Sequence, residues 1–261
     1  MKFTLIKGRF KPKTGHPDGD SVRFQADDPA LWNQVPGHPN NVESVVQLRF
    51  EGIDTLEKAA ITPLSTLAKE SMLNLIGFHE TDQPTPPGYI LTNGFTIKRP
   101  VCFVFAGDSR RKDGAQVSLD TAMVRDSVNY RQAQTGYAYP LFYNTLDTQA
   151  QKALAAAIGI VAQRLLGNWP TDATQTGVTV QTRADLATIP PIWPKLWRRL
   201  ETFLKKNRPL AEFTPFLASQ NERMRIASSG KERGFNEMVV VQGNQVKMTE
   251  SPRELIVISR G

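Results

Sequence analysis

Arg49-Phe50-Glu51-Gly52-Ile53-Asp54-Thr55-Leu56-Glu57 decides how this chain is read. The run before it, with Val45, Val46, Leu48 and Phe50 apolar, is partly alternating and predicts a strand that ends in a turn. On an extended segment Arg49 and Ile53 point one way, and the strand's end delivers Asp54 and Glu57 into a loop. A guanidinium, a hard oxygen ligand and a candidate base are thereby brought together. Phosphodiester hydrolysis needs such a set: charge to hold the phosphate, a metal ligand, and a carboxylate near the attacking water. The same residue types at a strand end also make ordinary solvated surface, so the stretch takes its meaning from its companions.

Upstream, residues 3 to 10 alternate well enough for a first strand. Asp18-Gly19 is a turn signal, and Asp20 opens the next strand, where aspartate is disfavoured. A carboxylate there needs a reason, and a metal is one. Residues 25 to 44 are polar, with Pro, Gly and Asn, and read as a long loop.

Downstream, Thr62-Pro63 reads as an N-cap and first turn. Leu64, Leu67, Ala68, Met72, Leu75 and Ile76 follow at helical spacing to about Gly77, and residues 81 to 88 read as a connector. Strands are expected at residues 89 to 91 and about 95 to 105, with Lys98 and Arg99 entering the apolar part beside Pro100. Arg110 and Arg111 sit in a basic loop, which is either a solvated turn or a guide for a nucleic-acid backbone. A helix is expected over residues 120 to 135, stopping at Gly136. Tyr137, Tyr139, Phe142 and Tyr143 follow, placed either to stack bases or to pack. An alanine-rich helix then runs from Asp147 or Thr148 to about Leu166 and closes at Gly167-Asn168-Trp169-Pro170.

The 261 residues suit one large domain, or a medium one with a small companion, and 40% hydrophobic residues allow a real core. A net charge of +7 and a pI near 9.6 favour an acidic partner such as nucleic acid. With Cys102 as the single cysteine there is no intrachain disulfide and no thiolate cluster, and His16, His38 and His79 lack zinc-ligand spacing. Lys7 and Arg9 interrupt a short apolar start, so no signal peptide is expected, and no run has membrane-spanning length. The expectation is a cytoplasmic protein with no membrane association, or a secreted or periplasmic one if a leader has been removed.

Taken in order, these features resemble the staphylococcal nuclease (thermonuclease) family over about residues 3 to 169. The resemblance rests on Asp18-Gly19-Asp20-Ser21, the stretch from Arg49 to Glu57, and Arg99-Pro100-Val101. It continues with Val128-Asn129 seven residues before Gly136-Tyr137-Ala138, and ends with Leu166-Gly167-Asn168-Trp169. It implies an α+β, mainly β, fold: a five-stranded OB-fold barrel with about three packed helices. It also implies a calcium-dependent nuclease that cleaves DNA and RNA without sugar preference and leaves 3′-phosphates. Asp20 and Asp54 would bind the metal, with the Thr55 carbonyl. Arg49, Arg99 and Glu57 would be catalytic, with the arginines on the phosphate and Glu57 on the water. Lys98, Arg110, Arg111, Tyr137 and Tyr139 are further candidates for touching the nucleic acid. The chain departs from the family pattern at Leu56 (usually proline), at Ile97 (usually tyrosine), at Lys98 (commonly glycine), and in a longer loop between Asp20 and Arg49.

Residues 170 to 261 lie outside the resemblance. Residues 170 to 190 read as a linker and residues 191 to 261 as an α+β extension. Within it are a helix over residues 194 to 207, a polar, mobile connection over residues 221 to 234, a β-hairpin turning at Gly243-Asn244, and a last strand over residues 255 to 259. The chain from residue 170 onward holds 14 Lys and Arg against 9 Asp and Glu. Arg198 and Arg199 therefore join the candidate substrate contacts, the alternative being an ordinary solvated basic face. For the whole protein, the alternative to a nuclease is a noncatalytic OB-fold nucleic-acid-binding or scaffold protein.

Overall fold

A computed structural model describes residues 1–39, 43–61, 63–79 and 85–259. Thr62, expected as an N-cap, lies outside the described residues, as do parts of the expected loop at 25 to 44 and connector at 81 to 88.

The first sheet is built around β1 (Lys2–Phe10), β2 (Arg23–Ala26), β3 (Val45–Gln47) and β4 (Arg49–Phe50). Next come β5 (Gly52–Thr55), helix α1 (Leu64–Leu75), then β6 (Pro87–Thr96), β7 (Arg99–Ala106) and β8 (Gln116–Ser118). The strand order is β3-β2-β1-β6-β7-β4, with β8 also on β1. The two ends of this path are halves of one segment, divided only by Leu48. That residue is buried and donates its backbone N–H to Val22 at 2.9 Å. Phe10, Phe24, Phe50 and Phe103 fill the interior, consistent with aromatic enrichment in strands that bury one face.

The expected strands at 89 to 91 and 95 to 105 are one long hairpin. Its turn falls at Ile97-Lys98, with Ile97 in the left-handed region (φ 57°), so Arg99 opens β7 rather than preceding it. The expected helix over 120 to 135 is two, α2 (Thr121–Asp126) and α3 (Val128–Gln134). Ser127 breaks them by adopting extended backbone and accepting from the Tyr130 N–H as the cap of α3. The strand β9 (Ala138–Tyr143) and helix α4 (Thr148–Gln163) follow, with Asp147 capping α4.

At Gly52 the chain leaves the first sheet. Its φ of +78° needs glycine, and a Cβ there would lie 2.5 Å from Leu154. Asn129 fixes this corner from α3, donating to the carbonyls of Glu51 and Cys102 and accepting from the Val104 N–H. Beyond the corner β5 pairs antiparallel with β9 in a different sheet.

That second sheet is completed by the C-terminal third. The remaining elements are β10 (Val178–Thr179), α5 (Pro194–Leu204), α6 (Phe213–Ser219), β11 (Arg223–Ile226), β12 (Glu232–Gly234), β13 (Val239–Gln242), β14 (Gln245–Met248) and β15 (Leu255–Val257). Its order is β12-β11-β15-β9-β5, with β15 parallel to β9. The hairpin at Gly243-Asn244 forms as expected. Residues 221 to 234, read as a mobile connection, instead hold β11 and β12. Residues 170 to 190, read as a linker, are packed: Ala173, Val178, Val180, Leu186 and Ile189 are buried. Their apolar positions are spaced too irregularly to show a period, but each enters one core. That core also takes Leu56, Tyr139 and Leu141 from the preceding part. The result is a mixed α+β fold in which the C-terminal third is continuous with the sheet carrying Asp54. No helix among the described residues is long and apolar enough to cross a membrane.

Candidate active site

Asp20, Asp54, Thr55 and Glu57 converge where the β1–β2 connection meets the end of β5. Gly19 permits the approach, since a Cβ there would lie 2.7 Å from the Thr55 side chain. The Thr55 hydroxyl donates to Asp20 Oδ1 at 3.1 Å, and the Phe50 N–H donates to the Asp20 carbonyl at 2.9 Å. Asp20 is buried and held well above the usual carboxylate range, first by loss of water and then by the charges of Asp18 and Asp54, against the pull of Arg49.

A cation from the C-terminal third enters this acidic group. Arg198, on α5, donates from Nη1 to Asp54 Oδ1 at 2.9 Å and from Nη2 to Oδ2 at 2.8 Å; Nη1 also donates to Glu57 Oε1 at 2.7 Å. Asp54 is only 2% exposed, while Arg198 and Glu57 are each about a third exposed. Burial alone would lower the Arg198 pKa, but Asp54 and then Glu57 more than offset it, and the guanidinium stays charged. Burial, assisted by Asp54 and Asp18, pushes Glu57 upward despite Arg198.

Beside this group lies a cleft of about 730 Å³ between the first sheet and the C-terminal third. Arg49, Glu51, Tyr143, Lys195, Arg198 and Arg199 are among its walls. The Arg49 side chain makes no hydrogen bond or ion pair with any described residue. Burial raises the Glu51 carboxyl to about 7, against Arg49 and the Gly52 N–H. Lys195 and Arg199 both pair with Glu222, Arg199 through two nitrogens at 2.7 and 2.8 Å.

Other expected residues are placed differently. Arg99 does not line the cleft and is tied to the protein itself. Its Nη2 donates to Ser21 Oγ at 2.7 Å and to the Leu48 carbonyl at 2.9 Å, and its buried Nε has no partner. Tyr139 is buried, donates to Asp172 at 2.9 Å and packs on Trp169, so it cannot stack a base. The apolar demand of the second core claims that ring. Tyr137 is half-buried, Lys98, Arg110 and Arg111 are exposed, and none of the four lines the cleft. Arg199 is already paired with Glu222, which it shares with Lys195. The sequence marked Arg198 as a substrate contact but not as the partner of Asp54. It does not mark Glu51, Lys195 or Glu222; a charge beside apolar neighbours is a signal for Glu51 and Lys195, while Glu222 stands between Asn221 and Arg223 with none.

Calcium binds six to eight oxygens at about 2.3–2.6 Å. Asp20, Asp54 and the Thr55 carbonyl are oxygens of the right kind. Both Asp54 oxygens and one from Glu57 already accept from Arg198, however, and a dication bonded to Asp54 would sit within a few ångströms of that guanidinium. Among the described residues no three acidic, histidine or cysteine side chains are arranged to hold a metal. The donor set in this arrangement does not fit calcium. Compared with known proteins, the chain matches no protein-family model and no curated protein.

Proposed function

We propose that this chain is a phosphodiester hydrolase of the thermonuclease type, built on an OB-like barrel, with DNA or RNA entering the cleft beside Arg49. The observation that carries this reading is the position of Arg49, unpaired on the cleft wall, next to the Arg198–Asp54–Glu57 group. The strand path whose two ends share residues 45 to 50 supports the barrel. In this reading Arg49 and the cleft edge of Arg198 hold phosphoryl oxygens and offset charge as the transition state forms. Glu57 Oε1 is held by Arg198, leaving Oε2 to take a proton from the attacking water. The water oxygen bonds to phosphorus, the bond to the 5′ oxygen breaks, and solvent protonates the leaving oxygen. A 3′-phosphate and a 5′-hydroxyl result.

The test is incubation of the full chain with single-stranded DNA, duplex DNA and RNA, each with calcium, magnesium or EDTA. Fragments with 3′-phosphate ends are expected. Intact substrate under every condition, with binding retained, would overturn hydrolysis. It would favour the second reading, a noncatalytic nucleic-acid-binding protein. The engagement of both Asp54 and Glu57 by the single guanidinium of Arg198 is the specific observation on its side.

A further inference from the structure

We propose that Arg198 is the resident cation of this site. It holds the carboxylates on one edge and binds a phosphodiester oxygen pair on the other, so that ligand binding needs no divalent metal. The inference rests on the reading of the cleft as a phosphodiester site.

A guanidinium has five N–H groups in a planar fork. In Arg198, Nη1 uses both of its hydrogens, on Asp54 and Glu57, and Nη2 uses one, on Asp54. The Nε–H and the second Nη2–H lie together on the remaining edge and donate to no described residue. Arg198 lines the cleft, as does the unpaired Arg49. Two N–H groups on one edge match two oxygens of a phosphate, and a second guanidinium, Arg49, adds positive charge to the wall of the same cleft. The carboxylates fix the fork's orientation before any ligand arrives, which reduces the ordering cost of binding.

Two features make this cation permanent. Burial works against its charge, but Asp54 and Glu57 outweigh burial and hold its pKa above the already high value of arginine. Its helix is also not a detachable lid. On α5, Leu196, Leu200 and Phe203 are buried. The Trp193 indole, just before the helix, donates to the Pro140 carbonyl at 3.0 Å, and that of Trp197 to the Leu186 carbonyl at 3.1 Å. Lys195 and Arg199 are tied to Glu222 one turn apart. Withdrawing Arg198 with its helix would open that core. The rival is a plug, in which the side chain swings away and calcium takes its place.

The experiment uses the full chain and a fluorescent oligothymidylate, with binding followed by anisotropy at fixed salt in EDTA or calcium. Calcium binding is measured separately by titration calorimetry. The wild type is expected to bind the oligonucleotide equally in both buffers and to take up no calcium. Arg198→Met should lose at least about 10-fold in affinity in EDTA, since charge-assisted bonds to the ligand disappear. Arg198→Lys keeps the charge without the fork, so it should also bind weakly while still excluding calcium; it carries the test if Arg198→Met does not fold. Wild-type calcium uptake abolished by Asp54→Asn, or oligonucleotide binding lost in EDTA, would overturn the proposal. Cleavage that requires calcium would do so too, yet would leave the hydrolase reading standing. Binding that depends on Arg198 and survives EDTA, without cleavage, would keep the proposal and sink the hydrolase reading.

Discussion

Arg198 closes on both oxygens of Asp54, at 2.9 and 2.8 Å, across 144 residues of chain. A carboxylate so little exposed is costly unless charge and hydrogen bonds compensate it. The acidic corner made by β5 is thus completed only when the C-terminal third is folded against it.

Arg198→Ala should therefore destabilise the protein by about 2–4 kcal/mol, because Asp54 is left buried and uncompensated. Adding Asp54→Asn should restore a large part of that loss. Urea unfolding of the two single variants and the double variant measures the coupling. A loss below about 0.5 kcal/mol for Arg198→Ala would mean that the pair is not structural.

Glu51 predicts a pH dependence for ligand binding. Its carboxyl titrates at about 7 on the same cleft as Arg49. Above that value its negative charge opposes an incoming phosphate and attracts Arg49; below it, that opposition is removed. Oligonucleotide affinity should rise as pH falls through about 7. Anisotropy titrations of Glu51→Gln should show a flatter profile, and an unchanged slope would exclude Glu51 as the source.

Glu222 predicts an acid limb of stability. Burial by itself would raise its pKa, but bonds from Arg199 and Lys195 outweigh that and hold the carboxyl at about 2. With the folded value below the unfolded one, the stabilisation is fully present above about pH 4.5. It is lost as pH falls from there towards 2. Glu222→Gln should lower stability at pH 7 and show a shallower decline in acid. Parallel declines for the two proteins in urea unfolding against pH would contradict this.

Removing residues 170 to 261 should not release a stable nuclease-like unit. Leu56, Tyr139 and Leu141 would lose the core they share with Trp193, Leu196 and Leu200, and β9 would lose β15 as a neighbour. The truncated chain should aggregate or unfold without cooperativity by circular dichroism and size-exclusion chromatography. A sharp, monomeric transition near that of the full chain would show that the first part is independent.

Local signals carried much of this fold. The alternating run into Arg49 formed strands, Asp147 capped α4, and Gly243-Asn244 turned a hairpin, because each depends on neighbours within a few residues. The convergence of Asp20, Thr55 and Glu57 on one corner follows from the order of those strands. Ser127 is not legible as a break, because a capping serine inside an apolar helical pattern looks like a tolerated polar residue until its backbone is seen to be extended. Residues 170 to 190 hid their packing because short turns bury single apolar residues without a period. Arg198 was legible as a basic residue on a helix, but its partner was not. Nothing local to residues 194 to 204 specifies that this helix lies across β5, since that depends on the parallel pairing of β15 with β9 and on the shared core.

The most direct test of the account is single-turnover cleavage of a fluorescent single-stranded DNA by the wild type, Arg49→Ala and Glu57→Gln. The Arg49 side chain makes no hydrogen bond or ion pair with a described residue, so the fold should survive its loss and the variant reads its contact with the phosphate. Cleavage by the wild type is expected, with a loss of about 100-fold or more in each variant and the fold retained. No cleavage by the wild type with calcium, magnesium or EDTA, or equal rates for all three proteins, would contradict it.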